Sequence, residues 1–113
     1  MFSVDWPKLV HYQSQLPLSI KVKIGTSKDG GFWVEIISLA GCFTQAENAE
    51  GLFVMINDAV YTYFDIPAEY FPFLPRYFPT EKLKKKIQTW DKCAPANFPQ
   101  QPIIITFTQG ASR

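Results

Sequence analysis

Histidine and cysteine are scarce. His11 is the only histidine among 113 residues, and the two cysteines, Cys42 and Cys93, lie far apart and in no Cys-x-x-Cys pair. A zinc site needs several such ligands at close spacing, so no metal centre is expected. The thiols read as reduced cysteines of a cytoplasmic protein, with a disulfide between them as the alternative. A Cys42–His11 nucleophile pair is formally available, but a single cysteine in a tight turn reads as a small buried residue. Neither sign of charge is in excess: 11 Lys and Arg stand against 10 Asp and Glu. Bulk electrostatics therefore predict neither nucleic acid nor an anionic membrane as partner. No apolar run approaches the roughly 20 residues of a membrane span, and the N-terminus has no basic-then-apolar signal pattern. A phosphate-cradling glycine loop is missing too, because Gly30-Gly31 falls between two strand-like segments and ahead of no helix. No cofactor is expected. There is no internal repeat and no low-complexity tract.

Apolar and aromatic residues are plentiful: 47% of the chain is hydrophobic, with ten Phe, five Tyr and three Trp. A single domain of this length can bury a real core without staples. It is organised around residues 18–64. Leu18, Ile20, Val22 and Ile24 alternate with Ser19, Lys21, Lys23 and Gly25, which makes a strand with one buried face. The polar loop TSKDGG follows, where Gly30 and Gly31 can take positive φ at a hairpin end. Phe32, Val34 and Ile36 form the inward set of a second strand. Its other set, Trp33, Glu35 and Ile37, is mixed, so that face is either partly covered or binds something. A turn at Ser38-Leu39-Ala40-Gly41 leads to a short third strand over 42–45. Asn48 can cap a helix of about four turns, along which Ala49, Leu52, Phe53, Ile56, Ala59, Val60 and Tyr63 recur at three-four spacing. Pro67 ends it. Gly51 in its first turn costs about 1 kcal/mol against alanine, so packing on the sheet must hold the helix.

Around this core lie an extension, 1–17, and an insertion, 67–102. In the first, Asp5-Trp6-Pro7 can start a helix with Trp6, Leu9 and Val10 on one face; the alternation Phe2, Val4, Trp6 argues equally for an edge strand. In the second, Pro67, Pro72, Pro75 and Pro79 exclude a long helix and a central strand before Thr80. Tyr70, Phe71, Phe73, Leu74, Tyr77 and Phe78 mark this part as an ordered loop on an apolar surface. It either lids the core or, with Trp33, supplies a partner or oligomer interface. Thr80 caps a second helix, from 81 to about 93, with Leu83, Ile87 and Trp90 as its stripe. Its lysines, among them Lys82, Lys85 and Lys86, are a solvated helix face or a local phosphate-contacting patch. After a second loop, Ile103, Ile105 and Phe107 alternate with Ile104, Thr106 and Thr108 in a further strand, followed by a polar tail.

These residues carry a resemblance. Two strands joined through Asp29-Gly30-Gly31, a turn with Leu39, Gly41 and Cys42, the step Thr44-Gln45 and an amphipathic helix over 49–64 resemble the HicB family of antitoxins. The likeness covers about two-fifths of the chain. It departs from the family pattern at Ile37-Ser38, where Pro-Asp is usual, and at Gly51 and Leu52, where an acidic and a small residue are usual. The resemblance implies an α+β fold, β-β-β-α-(insertion with a second helix)-β, with a partial ribonuclease-H-like sheet packed on a helix. The last strand would then lie beside the first and parallel to it, giving the order 4-1-2-3. The core would be 18–66 plus 103–108.

Ribonuclease-H-like nucleases hold two metal ions on clustered carboxylates, one of them from the first strand. Here that strand offers Ser19, Lys21 and Lys23 and no acid. Glu35 is isolated, and Asp58 is expected on the side of its helix away from the core. The fold therefore reads as catalytically empty. Family members mask a small RNA-cleaving toxin of the HicA type, so a protein-binding role is expected, with homo-oligomerisation. The alternatives are a stand-alone oligomer of this fold and a weak RNA-binding protein. The C-terminal DNA-binding domain of many members has no counterpart in this sequence, so DNA is not an expected partner.

Overall fold

The computed structural model describes residues 5–27, 30–89 and 101–110. The expectations for Phe2, Val4, Asp29, Trp90, Cys93, most of the second loop and the tail beyond 110 lie outside these residues. Among the described residues the chain is α+β: a curled antiparallel sheet of five strands and three α-helices. The N-terminal extension is helical, α1 (Trp6–Gln15), with the Asp5 side chain accepting from the Lys8 N–H and proline in the first turn. Only Leu9 of the expected stripe is buried; Trp6 and Val10 stay exposed.

Strand β1 (Ser19–Thr26) and β2 (Phe32–Ile36) form the expected hairpin, with Gly30 and Gly31 at positive φ. Ile20, Val22 and Ile24 face inward with Phe32, Val34 and Ile36. Leu18 is a correction: it precedes the strand and is 78% exposed. β3 (Phe43–Ala46) pairs with β2 and completes the run. Asn48 then caps α2 (Ala49–Tyr63), its Oδ1 accepting from the Gly51 N–H at 2.7 Å. Leu52, Ile56 and Val60 are fully buried against the sheet, each contributing roughly 1.5–3 kcal/mol of transfer free energy. Two expectations for α2 fail. Tyr63 is exposed, and Asn57 and Tyr61, outside the predicted stripe, are fully buried. The buried arc is wider than one stripe because α2 touches the sheet on one side and the insertion on another.

The insertion begins with a 3-10 helix (Ala68–Phe73) and continues as β4 (Arg76–Phe78). The prolines exclude a central strand, and β4 is indeed three residues long and at the sheet edge. α3 (Glu81–Gln88) follows, with the Thr80 side chain accepting from the Leu83 N–H. Ile87 is buried and Leu83 packs on the core.

The last strand, β5 (Ile103–Gly110), lies beside β1 as expected, with Ile105 and Phe107 inward. Its direction is a correction. It runs antiparallel to β1, with Val22 opposite Ile105 and Ile20 opposite Phe107. The insertion accounts for this. β4 pairs antiparallel with β5 and therefore takes the direction of β1, and the chain then comes back between them. The sheet order is β3-β2-β1-β5-β4.

Candidate functional site

Cross-strand register decides which side chains share a face. On the side away from α2, one row runs Phe43, Glu35, Lys23, Ile104 across β3, β2, β1 and β5. The row before it holds Gln45, Trp33 and Gly25, and the row after it Lys21 and Thr106. Ile37 extends this face beside Lys21, donating its N–H to the Lys21 carbonyl at 2.8 Å. The Ser38 hydroxyl accepts from the Lys21 N–H and pins the turn. Phe43 is 66% and Ile104 61% exposed, and Ile37 is exposed beside them. Trp33 is half-buried, with the Cζ2–Cε2–Nε1 side of its indole against Gly25: a Cβ built on that glycine would fall well inside contact distance of the ring. Among the described residues the site is therefore an open sheet face, with apolar ends around a Lys23/Glu35 pair.

Of the aromatics expected to form an interface, Trp33 lies on this face. Tyr70 and Tyr77 are corrections. Both are buried, so the insertion lids the core at these points and neither ring can reach a partner. Phe71 is half-buried with its ring 4.9 Å from that of Tyr61. Phe78 is also half-buried, 6.5 Å from Phe53, with the Lys84 ammonium 4.9 Å over its ring. Phe73 stays exposed, its carbonyl accepting from the Gln13 side chain. The expected set therefore does not converge on one surface. Lys82, Lys85 and Lys86 are exposed on α3. Phe43 and Ile104, the most protruding members of the open face, were not singled out from the sequence. The alternation that turns Thr44 and Ile105 to one side contains the signal, but only the register brings the two residues into one row.

Polar chemistry is concentrated inside the molecule, at the β4 edge. Asn57 accepts from the Tyr77 N–H at 2.6 Å and donates to the Tyr77 carbonyl at 3.1 Å and to the Phe53 carbonyl at 2.8 Å. The Tyr61 hydroxyl donates to the Pro75 carbonyl at 2.6 Å, and the Tyr77 hydroxyl to the Pro17 carbonyl at 2.5 Å. Burial pushes the Tyr61 hydroxyl up to about 12 and raises that of Tyr77. Among the described residues no buried side-chain polar atom lacks a partner. These groups hold the insertion to the core.

Burial also raises the Cys42 thiol, which donates to the Ala59 carbonyl at 3.7 Å. His11 is exposed on α1 and pairs with Gln15, so the two form no nucleophile pair. Asp58 is half-buried. Among the described residues no three His, Cys, Asp or Glu gather as metal ligands, and no helix is long and apolar enough to cross a membrane. An open cavity of about 730 Å³ lies between the hairpin end and the start of α2, lined by Ser27, Gly31, Gln45, Glu47, Asn48 and Met55 among others. Glu47 is its one ionisable group among the described residues, and Asn48 is already engaged as the cap. Comparison of the chain with protein-family models, curated proteins and solved structures finds no match. The class defined by fold and site is thus an α+β domain with one sheet face sealed by a helix and the other open.

Proposed function

We propose that the protein is a non-catalytic binding module of the cytoplasm, resembling a HicB-type antitoxin in its β1–β2–β3–α2 unit, and that its open sheet face is the contact surface. The observation that carries this reading is the row Phe43, Glu35, Lys23, Ile104: two large apolar side chains about two-thirds exposed, on a rigid sheet, beside charges that can fix a register. Antiparallel sheets commonly leave one face to solvent, so the reading rests on this particular arrangement of apolar ends about a central Lys23/Glu35 pair. The tight turn with buried Cys42 and the Asn48 cap supports the likeness. The antiparallel β5 departs from the partial ribonuclease-H arrangement that the likeness implies. In that likeness the partner is a small RNA-cleaving toxin. The alternative is a stand-alone oligomer, which the distribution of charge on the same face favours.

Phe43→Asp tests the reading. The position is exposed, so the melting temperature should stay within about 2 °C of wild type, while the charge opposes apolar contact. Tagged full-length protein expressed in its native host should retain a partner of identified sequence, or copies of itself, and Phe43→Asp should lose that association. If every association of the wild type survives the substitution unchanged, the open face is not the contact surface.

A further inference from the structure

We infer that the occupant of the open face is a second copy of the same chain, docked sheet to sheet about a two-fold axis that lies between the copies and runs along the strands between β1 and β2. This rests on the reading of that face as a contact surface and takes the stand-alone oligomer, rather than a toxin-like partner, as what it holds. The argument is one of symmetry. In an isologous contact the same patch must complement itself. An axis along the strands places each β2 residue over the β1 residue of its own row in the other copy.

Glu35 then opposes Lys23 of the second copy, twice. Phe43 opposes Ile104 of the second copy, also twice. Trp33, its indole drawn over to Gly25, opposes the Trp33–Gly25 row of the second copy, where the glycine leaves room for it. Ile37 opposes Lys21, whose aliphatic stem can lie on it while the ammonium reaches solvent. The other in-plane axis, across the strands through the same row, would set Glu35 over Glu35 and Lys23 over Lys23. The charge pattern therefore selects one of the two docking modes. Aligned packing at about −30° and about 10 Å between sheets is the ordinary geometry for two such faces, with pairs nearest the axis least displaced by the twist. The patch is about 19 Å wide over four strands and about 20 Å long, on the order of 380 Å² per copy, which is less than a standard interface buries, so the dimer is a weak, concentration-dependent one.

The test separates contacts within a copy from contacts between copies. Lys23 and Glu35 are cross-strand neighbours in one chain, so a charge swap disturbs both. Glu35→Lys would set like charges across the axis, and so would Lys23→Glu. Each single variant should dimerise on the order of 100-fold more weakly than wild type by sedimentation equilibrium at low salt. A 1:1 mixture of the two single variants should dimerise again. The introduced lysine of one chain then meets the introduced glutamate of the other, while neither chain's internal pair is repaired. Circular dichroism and melting of each variant check that it folds. If either does not, Phe43→Asp takes its place and should give monomer. A wild type that stays monomeric at roughly 500 µM overturns the inference. So does a dimer that the swaps leave intact, or a mixture that stays monomeric. A monomeric wild type that loses a different protein on Phe43→Asp overturns the inference alone and leaves the contact surface standing.

Discussion

Asn57 is the residue whose removal most directly tests the account of how the insertion is held. It is fully buried in the middle of α2, and its amide does for β4 what a neighbouring strand would do. It takes the Tyr77 N–H and supplies an N–H to the Tyr77 carbonyl. Asn57→Ala would leave both of these backbone groups without a protein partner. Each such group costs about 1–3 kcal/mol. The Phe53 carbonyl is a helix carbonyl, and Tyr61 keeps Pro75, so those losses are smaller. A total near 3 kcal/mol is expected, or about 12 °C in melting temperature at roughly 4 °C per kcal/mol. Denaturant unfolding should show the loss with an unchanged m-value. The Tyr77 amide, bonded to Asn57 in the wild type, should be protected from exchange there and exchangeable in the variant.

The isosteric Asn57→Asp adds a sign that packing alone cannot produce. One carboxylate oxygen can still accept from Tyr77, but the other would face the Phe53 and Tyr77 carbonyls, where the amide now donates. The ionised form is disfavoured, so the folded-state pKa rises above the unfolded value of about 3.9. Below pH 4 the protonated acid can donate and the deficit against wild type is small. The deficit should grow as pH rises through the folded-state value and then level off. The reasoning fails if Asn57→Ala costs less than about 1 kcal/mol, or if the Asp deficit is flat from pH 3 to 7.

Three further outcomes are expected. Tyr61 is held near 12 in the fold against about 10 unfolded, so the unfolded chain sheds that proton first. Stability should therefore fall as pH rises from 10 to 12, by on the order of 2 kcal/mol, and alkaline unfolding of Tyr61→Phe should show a shallower slope. Gly25→Ala should destabilise by about 1–3 kcal/mol, since the added methyl meets the Trp33 ring. Tryptophan emission should shift with it, and the cost should shrink in a Trp33→Val background. Asn48→Ala should cost about 1 kcal/mol through loss of the bond to the Gly51 N–H, read by thermal unfolding.

Local chemistry made much of this fold legible. Alternation placed Ile20, Val22 and Ile24 inward, Gly30-Gly31 marked the hairpin, and Asn48 and Thr80 marked helix starts, because each rests on neighbours in sequence. The failures rest on distant partners. Alternation looks the same in both directions, so Ile105 and Phe107 identified a strand but not its antiparallel run. Asn57 lies outside the apolar stripe that spacing picks out, and its compensating partner, Tyr77, is 20 residues on, beyond the reach of local pattern. Tyr70 and Tyr77 read as lid or as interface for the same reason: aromatics suit both equally, and only contacts with α1, α2 and β5 decide. On the site itself, the mixed set Trp33, Glu35, Ile37 was visible as a face with business of its own. Its most exposed members came from β3 and β5, and register is not written in any one strand.

The sheet has two edges as well as an open face, and these surfaces are not equivalent as places for a partner. At the β4 edge, Asn57 occupies the Tyr77 N–H and carbonyl, so an incoming strand would have to displace a buried amide before gaining a hydrogen bond. The β3 edge is four residues long, short enough to offer little to strand addition, in the way natural sheets keep edges from templating one another. Extension of the sheet is therefore disfavoured at β3 and at Tyr77, while β5 residues 103–107 lie beyond the reach of the β4 pairing. Large apolar side chains stand clear of the backbone on the flat of the sheet, at Phe43 and Ile104. Association through that face leaves the strand ladder intact, and its specificity rests on Glu35 and Lys23 rather than on backbone pairing.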